Sequence, residues 1–280
     1  TGAKIAASVV HLEGKPHFLC EALGLANGWN TTLATLKRGY NFLALMGVDV
    51  LVPHAFHQTV DNPRVECPPS YFFQNPYWKY YGALAGMTDR LCAFNQIGHH
   101  VAAIAIYYPI ESLWADSTGG KGQAVMPWQC RNNGNAWAGV TIDAFNEAVM
   151  AFSAREHDCD VADARALAGS TVQNDGTIRI GPETFACIVL PAVRTIDRAA
   201  LARIDAFVRA GGTLLVIGQF PQRAYPGTSA GACSTAETPC VTAAKDCRPP
   251  KNPGRSLPSV EGANPLAPRP LSTEPCVVES

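Results

Sequence analysis

Two stretches decide how this chain folds: Gly14-Lys15-Pro16-His17-Phe18-Leu19-Cys20-Glu21-Ala22-Leu23-Gly24 and Gly47-Val48-Asp49-Val50-Leu51-Val52-Pro53-His54-Ala55-Phe56-His57. Each starts on a glycine of the kind that stops a helix, passes through a short apolar run and ends on ionisable or aromatic residues. Upstream of the first, Ile5, Ala6, Val9, Val10 and Leu12 recur at helical spacing over residues 2–13. Upstream of the second, Thr31 or Thr32 can cap a helix with Leu33, Leu36, Tyr40, Leu43 and Leu45 on one side. The spacing therefore predicts two consecutive helix-to-strand steps, with strands at His17–Cys20 and Val48–Val52. A third helix is expected from Pro76 to Ile97, with Trp78, Tyr81, Leu84, Leu91 and Phe94 inward, ending at Gly98. Alternation of this kind calls for parallel strands with helices outside.

The same grammar continues beyond residue 98. Val101–Tyr107 reads as a central strand, Ile142–Arg155 as an amphipathic helix and Cys159–Val161 as a short strand. Asn174-Asp175-Gly176 is a turn whose following residues, Thr177–Ile180, form one arm of a hairpin. Ala186–Leu190, a helix over Asp197–Arg209, the pair Gly211-Gly212 and Thr213–Ile217 complete a strand-helix-strand step. The expected architecture is α/β: a partial (β/α)8 barrel, last strands only, over residues 1–98. A flavodoxin-like doubly wound parallel sheet follows over 99–225, and a disordered tail over 226–280.

The tail is set apart by composition, since ten of the 21 prolines fall in its 55 residues and apolar periodicity stops there. The whole chain has 280 residues and a formal net charge of −1. Its Lys and Arg form no stripe able to neutralise phosphates, so nucleic acid is not an expected partner. No apolar run is long enough for a bilayer, so a membrane is not expected either. The compartment is left open. None of the ten cysteines forms a CxxC pair, and no metal or cofactor is expected from their spacing.

In a parallel barrel, reactive groups gather at the C-terminal ends of the strands, where the following loops converge. Glu21 closes the first strand, and an ionised carboxylate on an apolar strand is costly unless it faces a wet cleft or a partner. It is the candidate catalytic carboxylate, against a structural salt bridge. His54 and His57 close the second strand and Trp29 lies in the loop after Glu21; these three are the candidate substrate-binding residues, against ordinary packing roles. Hydrolysis by paired carboxylates needs a second carboxyl group across from the first. Glu66 and Glu111 qualify by charge alone, and the simpler expectation is a partner on an earlier strand.

At these residues the sequence resembles a known family. Lys4 to Pro16, Cys20-Glu21-Ala22, Gly47-Val48-Asp49, Pro53-His54-Ala55-Phe56, Pro68-Pro69-Ser70 and Gln74-Asn75-Pro76-Tyr77-Trp78 resemble the C-terminal barrel segment of bacterial glycoside hydrolases. The relatives are the α-L-rhamnosidases and, more distantly, the barrel β-galactosidases. Tyr107 to Trp114 and Ala210-Gly211-Gly212-Thr213 resemble the glutamine-amidotransferase-like domain that follows such barrels. The resemblance implies a carbohydrate substrate, Glu21 at the end of the seventh strand as the nucleophile of retaining relatives, and His54 at the end of the eighth. It also implies that strands one to six lie elsewhere and that residues 1–280 alone are inactive.

Three other readings compete. Amidotransferase chemistry needs a cysteine on a strained elbow, whereas Cys187 lies inside an apolar strand. A dinucleotide site needs a GxGxxG loop after Tyr107, which is absent. The third is a non-catalytic binding or assembly module with an inert barrel remnant, forming a homo-oligomer through the second domain.

Overall fold

A computed structural model describes residues 1–24, 28–61, 68–116, 136–225 and 276–278. The order begins α1 (Gly2–Leu12), β1 (Leu19–Ala22), a 3-10 turn at Gly28–Asn30, α2 (Leu33–Leu45), β2 (Val50–Pro53) and α3 (Trp78–Asn95). Next come β3 (Ile104–Tyr107), α4 (Ile110–Ala115), α5 (Ala136–Ser153), β4 (Cys159–Ala162), α6 (Ala164–Ala168), β5 (Thr171–Val172), β6 (Ile178–Ile180) and β7 (Glu183–Phe185). The chain closes with β8 (Cys187–Pro191), β9 (Thr195–Asp197), α7 (Arg198–Arg209), β10 (Thr213–Ile217), β11 (Arg223–Tyr225) and β12 (Cys276–Val278). The class is mixed α/β with parallel sheets, and two compact units are present. One comprises Thr1–Ala105, Val149–Ala162 and Arg179–Thr184; the other comprises Ile106–Ala148, Asp163–Ile178 and Phe185–Ser280.

In the first unit β1 and β2 pair in parallel, with Leu19 opposite Val50, Cys20 opposite Leu51, Glu21 opposite Val52 and Ala22 opposite Pro53. Both strands begin two residues later than the apolar runs suggest. The cause is Asp49, whose Oδ1 accepts from the Phe18 amide at 2.7 Å while Oδ2 meets His17 Nδ1 at 2.9 Å. That carboxylate binds the segment before the strand and postpones the ladder.

Leu36, Tyr40, Tyr71, Tyr81 and Leu84 form a core between α2 and α3, and Leu51 packs against it from β2. Thr32 Oγ1 caps α2 by accepting from the Thr35 amide at 3.2 Å, and Gly47 stops it at φ +103°. The expected inner faces are met at Leu36, Tyr40, Tyr81 and Leu84. Leu45, Trp78 and Phe94, expected inside, are exposed.

Helix α1 departs further from its apolar pattern. Its buried residues are Lys4, Ala7 and Ser8, whereas Val9 is 53% exposed. The face turned inward is therefore a largely polar stripe, Lys4-Ser8-His11, at helical spacing. Ser8 Oγ accepts from the Val161 amide at 2.8 Å and donates to the Lys4 carbonyl at 2.7 Å. Specific pairing with β4 has overridden hydrophobic patterning.

β12, β10, β8 and β3 are neighbours in that order in one sheet, and Ile106 and Tyr107 of β3 belong to the second unit. β8 and β10 run parallel, Thr213 opposite Cys187 through Ile217 opposite Pro191. The helix joining them is well specified. Asp197 Oδ1 accepts from the Ala199 and Ala200 amides at 2.8 and 3.0 Å. At the other end Gly211 takes φ +94°, and a Cβ on Gly212 would strike the Phe207 ring at 2.2 Å. The glycine pair thus serves two purposes, a left-handed cap and room for a core ring.

The predicted turn at Asn174-Asp175-Gly176 is present, closed by the Gln173 amide on the Thr177 carbonyl at 2.9 Å. The strand expected over Val101–Tyr107 begins only at Ile104, since Val101 is exposed. Cys276–Val278 pair antiparallel with β10, Val216 opposite Cys276 through Leu214 opposite Val278. The remainder of the tail, with Cys233, Cys240 and Cys247, lies outside the described residues.

Candidate functional site

The rim of the β1–β2 pair carries the residues singled out in the sequence. Cys20 and Ala22 alternate with Leu19 and Glu21, so the latter two share the opposite face of the strand. Leu51, in register with Cys20, faces the α2–α3 core. Leu19 and Glu21 therefore point away from the helices, and both are exposed, Leu19 at 59%. No hydrogen bond or ion pair reaches the Glu21 carboxylate among the described residues. A structural salt bridge at Glu21 is thereby excluded among those residues.

His54 follows β2 directly, and its amide donates to the Ala22 carbonyl at 3.0 Å, carrying the parallel ladder one step further. Its ring fills space that only a glycine on the neighbouring loop leaves open, since a Cβ on Gly24 would lie 2.9 Å from His54 Nδ1. His57 is held through its backbone. Ser70 Oγ accepts from the His57 amide at 3.2 Å, and Gln74 Nε2 donates to the His57 carbonyl at 2.9 Å. The two rings stand 6.3 Å apart. Each has a buried Nδ1 with no hydrogen-bond partner among the described residues. Trp29 sits on the 3-10 turn and is exposed.

Beside His54 the sequence reading missed an aromatic wall. Phe56 lies 5.6 Å from Phe72, 6.0 Å from Trp78 and 6.1 Å from Tyr81, measured between ring centroids. The doublets Phe72-Phe73 and Tyr77-Trp78 were the available signal. A cavity of about 510 Å³ opens alongside β2 and α3, lined in part by Val50, Pro53, Phe56, Tyr81, Asp89 and Gln96.

The other candidate carboxylates stand differently. Glu66 lies outside the described residues. Glu111 is buried in α4 of the second unit and accepts from the Tyr107 hydroxyl at 2.8 Å. Cys187 lies in β8, as the sequence suggested, and burial pushes its thiol up to about 11.

Neither a protein-family model nor a curated protein matches the chain. Among solved structures, the chain is similar to a rhamnosidase from Novosphingobium sp. PP1Y, with 20% identity and a TM-score of 0.53 over 79% of this chain and 19% of that one. It is also matched, at TM-scores of 0.46 and 0.45, to Gan42B, a GH42 beta-galactosidase, and to a cold-adapted beta-galactosidase from Rahnella sp. R3. These share 14% and 16% identity and cover 76% and 75% of this chain, in each case 29% of the other. The likeness to the rhamnosidase gives the chain a glycoside hydrolase-like fold, and the chain spans about a fifth of that protein's length.

Proposed function

We propose that this chain is the C-terminal part of a glycoside hydrolase and that β1 and β2 are the last two strands of its (β/α)8 barrel. The observation that carries the reading is the uncovered face of the β1–β2 pair. Parallel sheets occur with both faces covered, and a two-stranded sheet is marginal alone. Here helices cover one face, while the other exposes Leu19 beside Glu21. Further strands would close that face into a barrel interior, with Glu21 at its upper rim.

In this reading Glu21 is one of the two carboxyl groups that flank the scissile bond, and the other comes from a strand outside residues 1–280. His54 and His57 contact substrate hydroxyls, and Trp29 offers an apolar ring for a sugar face. The second unit is a flavodoxin-like domain, supported by the β8–β10 parallel step and by β3 and β8 lying side by side.

The test is to read the coding sequence upstream of Thr1 and to assay its whole product on aryl rhamnosides and galactosides. Six further βα units and an activity lost in Glu21→Gln are expected, with no activity from residues 1–280 alone. Full activity in Glu21→Gln would remove the assignment. No turnover by the whole product on any aryl glycoside would favour the non-catalytic assembly module.

A further inference from the structure

Within the first unit, α1, the segment after α3, β4 and β7 bring together Lys4, His11, His100, Asp158, Asp160 and Glu183. We propose that His11, His100 and Asp160 form a binding site for a divalent transition-metal ion of the zinc class, with the Glu183 carboxylate beside His100. The site is separate from the rim that carries Glu21 and does not depend on the glycosidase reading.

The charge balance is the first argument. Asp158, Asp160 and Glu183 carry three negative charges against the single Lys4 ammonium, which is fully buried and paired with Asp158. Two negative charges are left over when both imidazoles are neutral, a deficit that one divalent cation fills in place of two imidazolium protons. Asp160 is 0% exposed, and its Oδ2 has no hydrogen-bond partner among the described residues. An ionised oxygen so placed needs a cation beside it.

Geometry is the second argument. The ligand atoms of His11, His100 and Asp160 all lie within 4.8 Å of one another. His100 Nδ1 stands 3.5 Å from Asp160 Oδ2 and 3.4 Å from Glu183 Oε2. Ligands bound at about 2.0–2.2 Å to a tetrahedral zinc are separated by about 3.3–3.5 Å. His11 Nδ1 lies 2.8 Å from Asp160 Oδ1, a distance at which a shared proton now stands where the metal would displace it. His11 and His100 approach different oxygens of the Asp160 carboxylate, and their rings stack with centroids 3.7 Å apart, so holding one ion between them requires a rotation of one ring out of the stack.

The outer contacts suit the role as well. His100 Nε2 lies 3.1 Å from Asp158 Oδ2, and Lys4 holds that carboxylate from the other side. A proton on Nε2 donated to Asp158 leaves the Nδ1 lone pair directed at Asp160 and Glu183, the carboxylate–histidine–metal arrangement. Two imidazoles with carboxylates favour zinc, cobalt or nickel over calcium or magnesium. The inward polar stripe of α1 thereby acquires a reason that packing alone does not give.

The experiment is calorimetric titration of the metal-stripped 280-residue chain with zinc chloride, alongside cobalt(II) spectroscopy. One equivalent is expected, with the visible bands of four-coordinate cobalt and no thiolate charge-transfer band. Asp160→Asn and His100→Gln should each weaken binding at least about tenfold while circular dichroism is unchanged. Proton NMR of the cobalt form should show two hyperfine-shifted imidazole N–H signals, a readout that stands even if a variant fails to fold. Absence of saturable binding, a thiolate spectrum, or parental affinity in both folded variants would overturn the site in favour of two shared protons.

Discussion

Glu21 on β1 stands in parallel register with Val52 on β2, on the strand face that no helix covers among the described residues, and no hydrogen bond or ion pair reaches its carboxylate there. A carboxylate so placed contributes little to folding. Glu21→Gln is expected to change the unfolding free energy by no more than about 0.5 kcal/mol. Chemical denaturation of the variant and its parent checks this. A loss beyond about 2 kcal/mol, the size expected when a buried network is broken, would mean that Glu21 is structural.

Backbone contact makes a sharper demand at Gly181. It has φ +57°, and a Cβ there would lie 1.9 Å from the Leu12 carbonyl oxygen at the end of α1. Gly181→Ala should therefore cost of order 1–3 kcal/mol through strain and displacement. Gly82 is the control, being within α3, exposed and with nothing within 4 Å of an added Cβ. Gly82→Ala should stabilise by about 0.5–1 kcal/mol. The two melting temperatures should thus move in opposite directions.

A pH effect is written into α4. Burial raises the Glu111 carboxyl above its ordinary value, outweighing the lowering by the Tyr107 hydrogen bond, and Asp197 and Asp163 raise it further. The folded state accordingly holds this proton more tightly than the unfolded chain does. Glu111's contribution is then most favourable below the unfolded pKa and is lost as pH rises through the folded one. Glu111→Gln keeps an acceptor for Tyr107 and has no charge to desolvate. Its stability relative to the parent should rise between about pH 4 and pH 7. A constant difference across that range would show that Glu111 titrates alike in both states.

The parts of the fold legible in the sequence are those whose signals are local. Helix α7 carries its own cap, Asp197, and its own stop, Gly211-Gly212, and it forms where the pattern placed it. The parallel pairing of β1 with β2 follows from the helix-to-strand alternation. What escaped depends on residues far apart in the chain. The start of β1 is set by Asp49, and the inward face of α1 by Asp158 and Asp160, neither visible to periodicity. The sequence pattern led to Val9 and away from Lys4 because it weighs hydrophobicity without partners. His11, His100 and Asp160 show no ligand spacing, since each comes from a different element. Glu21's position was legible; the absence of a partner for it among the described residues was not.

The remaining competitor, nucleophilic chemistry at Cys187, has a direct test. Its thiol lies in β8, and burial pushes it up to about 11, while burial likewise pushes Cys159 up to about 12. Alkylation proceeds through the thiolate, so at pH 8 only about one Cys187 in a thousand is reactive. Brief iodoacetamide treatment of the native chain, followed by peptide mapping, should leave Cys187 and Cys159 unmodified. The same treatment after denaturation should label both fully. An amidotransferase cysteine behaves in the opposite way, reacting fastest in the folded state because its surroundings stabilise the thiolate. Preferential native labelling of Cys187 would therefore move the chemistry of the chain from the β1–β2 rim to the second unit.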